Sequence, residues 1–120
     1  MKHTHLDDHR DARGFVVNPF EHLEDTGEVT NFHVFSIEPG HARGDHRHPA
    51  RNEQVLVVAG CITVRTDAGS TVLRREPSAM LTIPMGMNHT FVNEGTETAV
   101  VMCWSSERRE DHDGEDTVRG

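Results

Sequence analysis

The chain of 120 residues is long enough for one domain that buries about two thirds of the surface of its unfolded state. Its formal net charge of −8 argues against nucleic acid or an anionic membrane surface as a partner, because both carry negative charge. No apolar run of about 18 residues is present, and the polar N-terminus lacks the apolar segment of a secretory signal, so we expect a cytoplasmic protein.

The two ends of the chain are polar. Residues 1–11, which contain three histidines among charged residues, are predicted to form a polar N-terminal arm. Residues 107–120 form a dense run of charge without an apolar stripe, which predicts a solvated, disordered tail. The folded domain is therefore predicted to span residues 12–106.

Within that domain the patterns are those of strands. Residues 29–37 alternate between two faces, and residues 54–59 form a continuous apolar run typical of a strand buried on both sides. Asp67 to Ser70 has the composition of a hairpin turn. Short strands at intervals of about eight to twelve residues, separated by Gly and Pro, predict an all-β sandwich or barrel.

Three histidines and one glutamate have the spacing of a metal site. His46 and His48 project to the same side of a strand, because side chains alternate with a period of two. A turn at residues 49–52 returns Glu53 to the same point, and His89 opens a later apolar strand. This ligand set predicts a divalent transition metal, with Zn, Fe, Mn and Ni all compatible.

The same alternation predicts what surrounds the site. If Glu53 and His89 face inward, the residues in step with them form the wall below: Val55, Val57, Ala59, Phe91 and Asn93.

Five residues are candidates for contacting a substrate. Arg43 and Arg51 suit a phosphate or carboxylate group, although pairing with surface carboxylates is the alternative. Phe91 is a candidate for substrate binding on the inner wall. His33 and His41 are candidates for the catalytic residue, and the alternatives are a core or surface histidine for His33 and a solvent-exposed one for His41.

These residues resemble the two sequence motifs of the cupin superfamily. The first motif is matched by Gly40, His46, His48, Glu53 and Gly60. The second is matched by Pro84, Gly86, His89 and Asn93, with Ser78 in the place of its leading glycine. The resemblance implies a double-stranded β-helix, that is, a jelly-roll barrel, with the metal bound inside it.

A narrower resemblance concerns the substrate. The segments Arg43–His48 and Asp11–Gly14, with the spacing to Glu53, are similar to small cupins that act on nucleotide-linked sugars. Those include the epimerase-type cupin of capsular polysaccharide reductases and the ketoisomerases of deoxysugar pathways. The resemblance implies an isomerase or epimerase that moves a proton beside a carbonyl. A non-enzymatic metal- and ligand-binding or sensing cupin and an Fe-dependent dioxygenase are the alternatives.

The chain is also expected to form a homodimer. Cupins commonly pair through sheet edges, and an exposed edge is otherwise prone to aggregation. Residues 14–20 are the segment predicted to pair with a partner copy.

Overall fold

The structure is a computed structural model, and it describes residues 1–19, 29–46 and 52–106. Eleven strands lie in these ranges: β1 (Lys2–His5), β2 (His9–Asp11), β3 (Gly14–Val16), β4 (Val29–Ile37), β5 (Ala42–His46), β6 (Glu53–Ala59), β7 (Cys61–Thr66), β8 (Gly69–Arg74), β9 (Ala79–Ile83), β10 (His89–Val92) and β11 (Ala99–Ser106). The charged tail predicted at 107–120 lies outside the described residues. The described part of the chain contains no helix with the length and apolar character needed to span a membrane.

The strands form two main sheets in which every pair is antiparallel. The five-stranded sheet has the order β1-β9-β6-β11-β4, and the four-stranded sheet has the order β5-β10-β7-β8. The strands β2 and β3 form a separate hairpin. This arrangement confirms the predicted all-β jelly roll.

The core lies between the two sheets. Side chains from both sheets contribute to it, because alternate positions along each strand face the interior. Val55 and Val57 of β6 meet Phe91 of β10 there, as the alternation predicts. The continuous apolar run of β6 is also explained, since its other face carries Leu56, which packs against a second buried cluster on the outer side of the sheet.

The N-terminal residues are part of the fold rather than an arm apart from it. Strand β1 pairs with β9, and the backbone N–H of Leu6 donates to the carbonyl of Ser78 at 3.1 Å. Leu6 is buried in the outer cluster beside Met80 and Trp104.

Two turns place the strands that carry the candidate site. The predicted hairpin turn is confirmed, with Thr66 opposite Gly69 across a two-residue connection. Gly60 joins β6 to β7 with a φ of +77°, and a Cβ atom there would lie 2.9 Å from the backbone of both Thr98 and Ala99. Only glycine fits this position, which fixes the register of β6 against β11.

Asn93 closes the end of the barrel opposite Glu53. Its side-chain amide donates to the carbonyls of Ile37 and Glu97, both at 2.8 Å, and its carbonyl oxygen accepts from Gly95 at 2.9 Å. Its backbone exchanges further hydrogen bonds with Gly40 and His41. This buried residue therefore connects the β4–β5 turn to the loop after β10.

Candidate active site

A buried glutamate–histidine pair lies between the two sheets. Glu53 is the first residue of β6 and His89 the first of β10, so the pair joins the five-stranded sheet to the four-stranded one. His89 Nε2 lies 3.0 Å from Glu53 Oε1, and both side chains are almost completely buried, at 0% and 3% exposure. Such a contact in a water-poor interior is strong, because little solvent competes with it.

The surroundings of the imidazole determine its orientation. His89 Nδ1 lies 3.2 Å from the carbonyl oxygen of Met87, which can only accept, so a hydrogen on Nδ1 is donated there. On the other side Nε2 lies against Glu53 Oε1, so the ring is held between the two groups.

An aromatic row leads away from this pair. The ring of Phe91 lies 5.2 Å from that of His89, and Phe35 stacks on Phe91 at 5.7 Å. His33 stacks on Phe35, also at 5.7 Å. Phe91 is buried and Phe35 half-buried, whereas His33 is exposed. The row therefore runs from the buried pair to solvent, with His33 at its outer end.

The position of His33 on β4 places its side chain on the inner face of the sheet. It pairs with Cys103, which is buried in the core between the sheets, and residues directly opposite each other share a face. Burial, together with the nearby negative charge of Glu53, raises the pKa of the Cys103 thiol well above its usual value. Cys103 is thus an unreactive core residue.

Arg43 and His41 lie toward the other end of the barrel. Arg43 pairs with Phe91 across β5 and β10, and its Nε donates to the carbonyl of Ser36 at 2.8 Å. With His41 it lines a cavity of about 260 Å³ between the ends of β4 and β5. The carbonyl of His41 accepts a hydrogen bond from the backbone N–H of Asn93, which follows the last residue of β10. Asn93 is four residues from His89, a distance of about 13 Å along an extended chain at 3.3 Å per residue.

The structure therefore brings together only some of the residues selected from the sequence. Glu53 and His89 form a contact, and Phe91 and His33 belong to the row beside them. His41 is separate from them. Arg51 and His48 lie outside the described residues, and His46 is described by its backbone alone, which pairs with that of His89.

Two contributors were missed. Phe35 lies two residues from His33, a period-two relation that could have identified it. Asn52 precedes Glu53 and binds the turn before His89; no pattern in the sequence identifies that contact.

The chain thus folds as a double-sheet jelly roll with a buried polar pair between its sheets. Residues 9–118 match the family model described as the polysaccharide biosynthesis C-terminal domain. Because this match covers most of the chain, the protein belongs to that family.

Two relatives are similar in sequence over most of the chain. The chain is 31% identical over 106 residues to a UDP-2-acetamido-2,6-beta-L-arabino-hexul-4-ose reductase of Pseudomonas aeruginosa, a match covering 82% of the chain and 27% of the reductase. The capsular polysaccharide assembling protein CapF of Staphylococcus aureus is 28% identical with a TM-score of 0.58, over 86% of this chain and 29% of CapF. The chain thus spans less than a third of the length of either relative.

A third relative matches in fold. The dTDP-6-deoxy-D-glucose-3,5-epimerase RmlC of Legionella pneumophila, solved in complex with dTDP-4-keto-L-rhamnose, has a TM-score of 0.75 at 20% identity. That match covers 95% of this chain and 69% of the epimerase.

The prediction of a divalent transition-metal cofactor is wrong. Sugar epimerases and isomerases of the RmlC type typically work without a metal ion. In the described part of the chain no group of three or more His, Cys, Asp or Glu side chains is arranged to hold one. Among the described side chains of the predicted ligand set, Glu53 and His89 contact each other at 3.0 Å.

Proposed function

We propose that this chain is an isomerase- or epimerase-type domain that acts on a nucleotide-linked keto-sugar. The single observation that carries the proposal is the aromatic row that runs from the buried Glu53–His89 pair to an exposed histidine. Membership of a polysaccharide biosynthesis family supports the sugar as substrate. The dioxygenase alternative depended on the metal and is not part of this proposal.

The reaction is a proton transfer beside a carbonyl. His33 removes the proton from the carbon next to the substrate's carbonyl, the C–H electron pair moves into the C–C bond, and the carbonyl oxygen becomes an enolate. A proton from solvent delivered to the opposite face of that carbon gives the epimer, and the carbonyl re-forms. Alternatively, His33 returns its proton to the former carbonyl carbon while the hydroxyl proton of the adjacent carbon passes to the enolate oxygen, which gives the isomeric ketone. Imidazole suits this role because it accepts and returns protons near neutral pH.

The residues below His33 provide a surface on which the substrate can pack. Phe35 presents an apolar, half-buried face on which a sugar ring can pack. His33 is the better candidate than His41, because His41 lies at the other end of the barrel.

Arg43 is the proposed phosphate contact. The bond from its Nε to Ser36 fixes the orientation of the guanidinium group, and its remaining N–H groups suit a diphosphate. Ser36 lies three residues along β4 from His33, or about 10 Å, which leaves space for a sugar between the phosphate and the base.

Solvent deuterium provides the test. The protein is incubated in D₂O with UDP- and dTDP-linked 4-keto-6-deoxyhexoses, and mass spectrometry and NMR locate the deuterium. We expect incorporation at the carbon beside the carbonyl, a loss of about 100-fold or more in His33→Gln, and a raised KM in Arg43→Gln. His5→Gln, an exposed histidine on β1, is the matched control and should exchange at the wild-type rate. Binding of these sugars without any incorporation would overturn the enzymatic proposal in favour of a sensing role.

We also propose that the chain forms a homodimer. Support comes from Phe32 and Val34, which are 51% and 58% exposed on the outer face of β4, at the edge of the five-stranded sheet. Gly14–Val16, within the segment expected to contact the partner, pair with β2 of the same chain. Light scattering should give a dimer mass that falls to a monomer in Val34→Glu but not in Val72→Glu, an exposed valine of the other sheet. A monomer mass for the wild type would contradict the proposal.

A further inference from the structure

Asn52 and Glu53, neighbours in sequence, reach the same histidine from two sides. Glu53 contacts the His89 ring directly, at Nε2. Asn52 reaches it through the turn between β9 and β10: its Oδ1 accepts from the backbone N–H of Met85 at 2.9 Å. Met87, in the same turn, presents the carbonyl that accepts from His89 Nδ1.

The turn itself is well defined. The N–H of Met87 donates to the carbonyl of Pro84 at 3.3 Å, and Gly86 has a φ of +81°. A bond between the first and fourth residues and a positive φ at the third are the features of a type II turn. In such a turn the N–H of the second residue, Met85, takes no part in the turn's own hydrogen bond, so it is available to Asn52.

The contacts therefore form a closed ring of hydrogen bonds. The Asn52 side chain binds the turn at Met85, the turn contacts His89 through Met87, and His89 contacts Glu53, the neighbour of Asn52 in sequence. We propose that Asn52 is a positioning residue: it fixes the turn so that the Met87 carbonyl holds the His89 ring in register with Glu53. Nδ1 then stays within hydrogen-bonding distance of the Met87 carbonyl, and Nε2 stays within hydrogen-bonding distance of Glu53.

The kinetic consequence rests on the proposed function, whereas the position of the ring does not. A ring free to tilt about its Cβ–Cγ bond would lose the alignment of both hydrogen bonds, since a hydrogen bond weakens steeply as its angle departs from linearity. Asn52 is exposed and distant from Phe35 and His33 along the chain, so its removal should lower kcat with little change in KM.

Three variants isolate this contact. Asn52→Ala removes the acceptor, and Asn52→Asp retains an oxygen that can accept from Met85. Met85→Pro removes the donor while keeping the turn, because proline is favoured at the second position of a type II turn. Met85→Ala keeps the N–H and is the matched control.

The readout is the solvent exchange of the His89 Nδ1–H, measured by NMR on protein labelled with ¹⁵N-histidine, together with kcat and KM. We expect exchange about tenfold faster in Asn52→Ala and in Met85→Pro, no further increase in the double variant, and wild-type behaviour in Asn52→Asp and Met85→Ala. Unchanged exchange in Asn52→Ala, or effects of Asn52→Ala and Met85→Pro that add, would overturn the proposal. Failure of the proposed function shows itself differently, as no deuterium incorporation by the wild type while the exchange pattern stays as expected.

Discussion

Replacing one member of the Glu53–His89 pair tests the buried contact most directly. His89→Leu leaves the Glu53 carboxyl buried without its imidazole partner, at a site where its exposure is 3%. Removal of one partner from a buried charged pair costs about 3–5 kcal/mol of unfolding free energy. For a chain of 120 residues this corresponds to a fall in Tm of about 12–20 °C, at about 4 °C per kcal/mol.

The stability of the double variant relative to His89→Leu distinguishes the cost of an unpaired buried carboxyl group from a simple loss of packing. Glu53→Leu with His89→Leu removes both polar groups, so no buried carboxyl remains, and we expect it to be more stable than His89→Leu by about 2 kcal/mol or more. Glu53→Gln is the matched control: its amide N–H can donate to Nε2 of a neutral His89, so the cost should be about 1 kcal/mol. Urea unfolding followed by circular dichroism, with equal m-values, measures all three. A cost below about 1 kcal/mol for His89→Leu, or a double variant less stable than the single one, would refute the argument.

Three further predictions concern the fold around the site. Gly60→Ala should destabilise the fold by about 2–4 kcal/mol, because it combines a positive φ with a 2.9 Å backbone clash. Gly40→Ala, with φ +81° and nothing within 4 Å of the added Cβ atom, should cost only about 1–2 kcal/mol. Equal losses of stability in thermal unfolding would contradict the contribution of the backbone clash. Asn93→Asp should lower the free energy of unfolding measured in urea by about 3 kcal/mol or more, because a carboxyl oxygen would face the two carbonyls that accept from the amide in the native protein. A loss under about 1 kcal/mol would argue against the importance of these two hydrogen bonds. In the native protein a thiol reagent should modify the half-buried Cys61 far faster than Cys103, which is buried and has a raised pKa; Cys61→Ser should abolish the fast phase, and its persistence would show that Cys103 is accessible.

The fold was predictable where side-chain periodicity carries the information. Val29–Ile37 alternates because one face of β4 meets the core and the other faces outward. The run in β6 is apolar throughout because both its faces are covered. Each pattern reflects burial, so each strand could be located from the sequence alone.

Strand β1 shows where that signal fails. Lys2–His5 is a strand whose side chains are mostly exposed, and it joins the sheet through backbone pairing with β9. Backbone hydrogen bonds leave no mark on the residue types, so a polar strand at a sheet edge resembles an unstructured arm. Leu6, buried in the outer cluster, is the one apolar residue that marks the attachment.

The metal prediction failed for a different reason, which concerns chemistry rather than periodicity. Spacing correctly indicated that Glu53 and His89 converge, but convergence of an imidazole and a carboxyl group is compatible with two outcomes. A metal ion between them replaces the proton that they would otherwise share, and the sequence contains the same residues in either case. The contacts of the ring fit both outcomes, because a metal-bound imidazole also donates its second N–H to a carbonyl, as His89 Nδ1 can to Met87. The likeness to sugar epimerases and isomerases of the RmlC type, which typically work without a metal ion, is what decides against the metal.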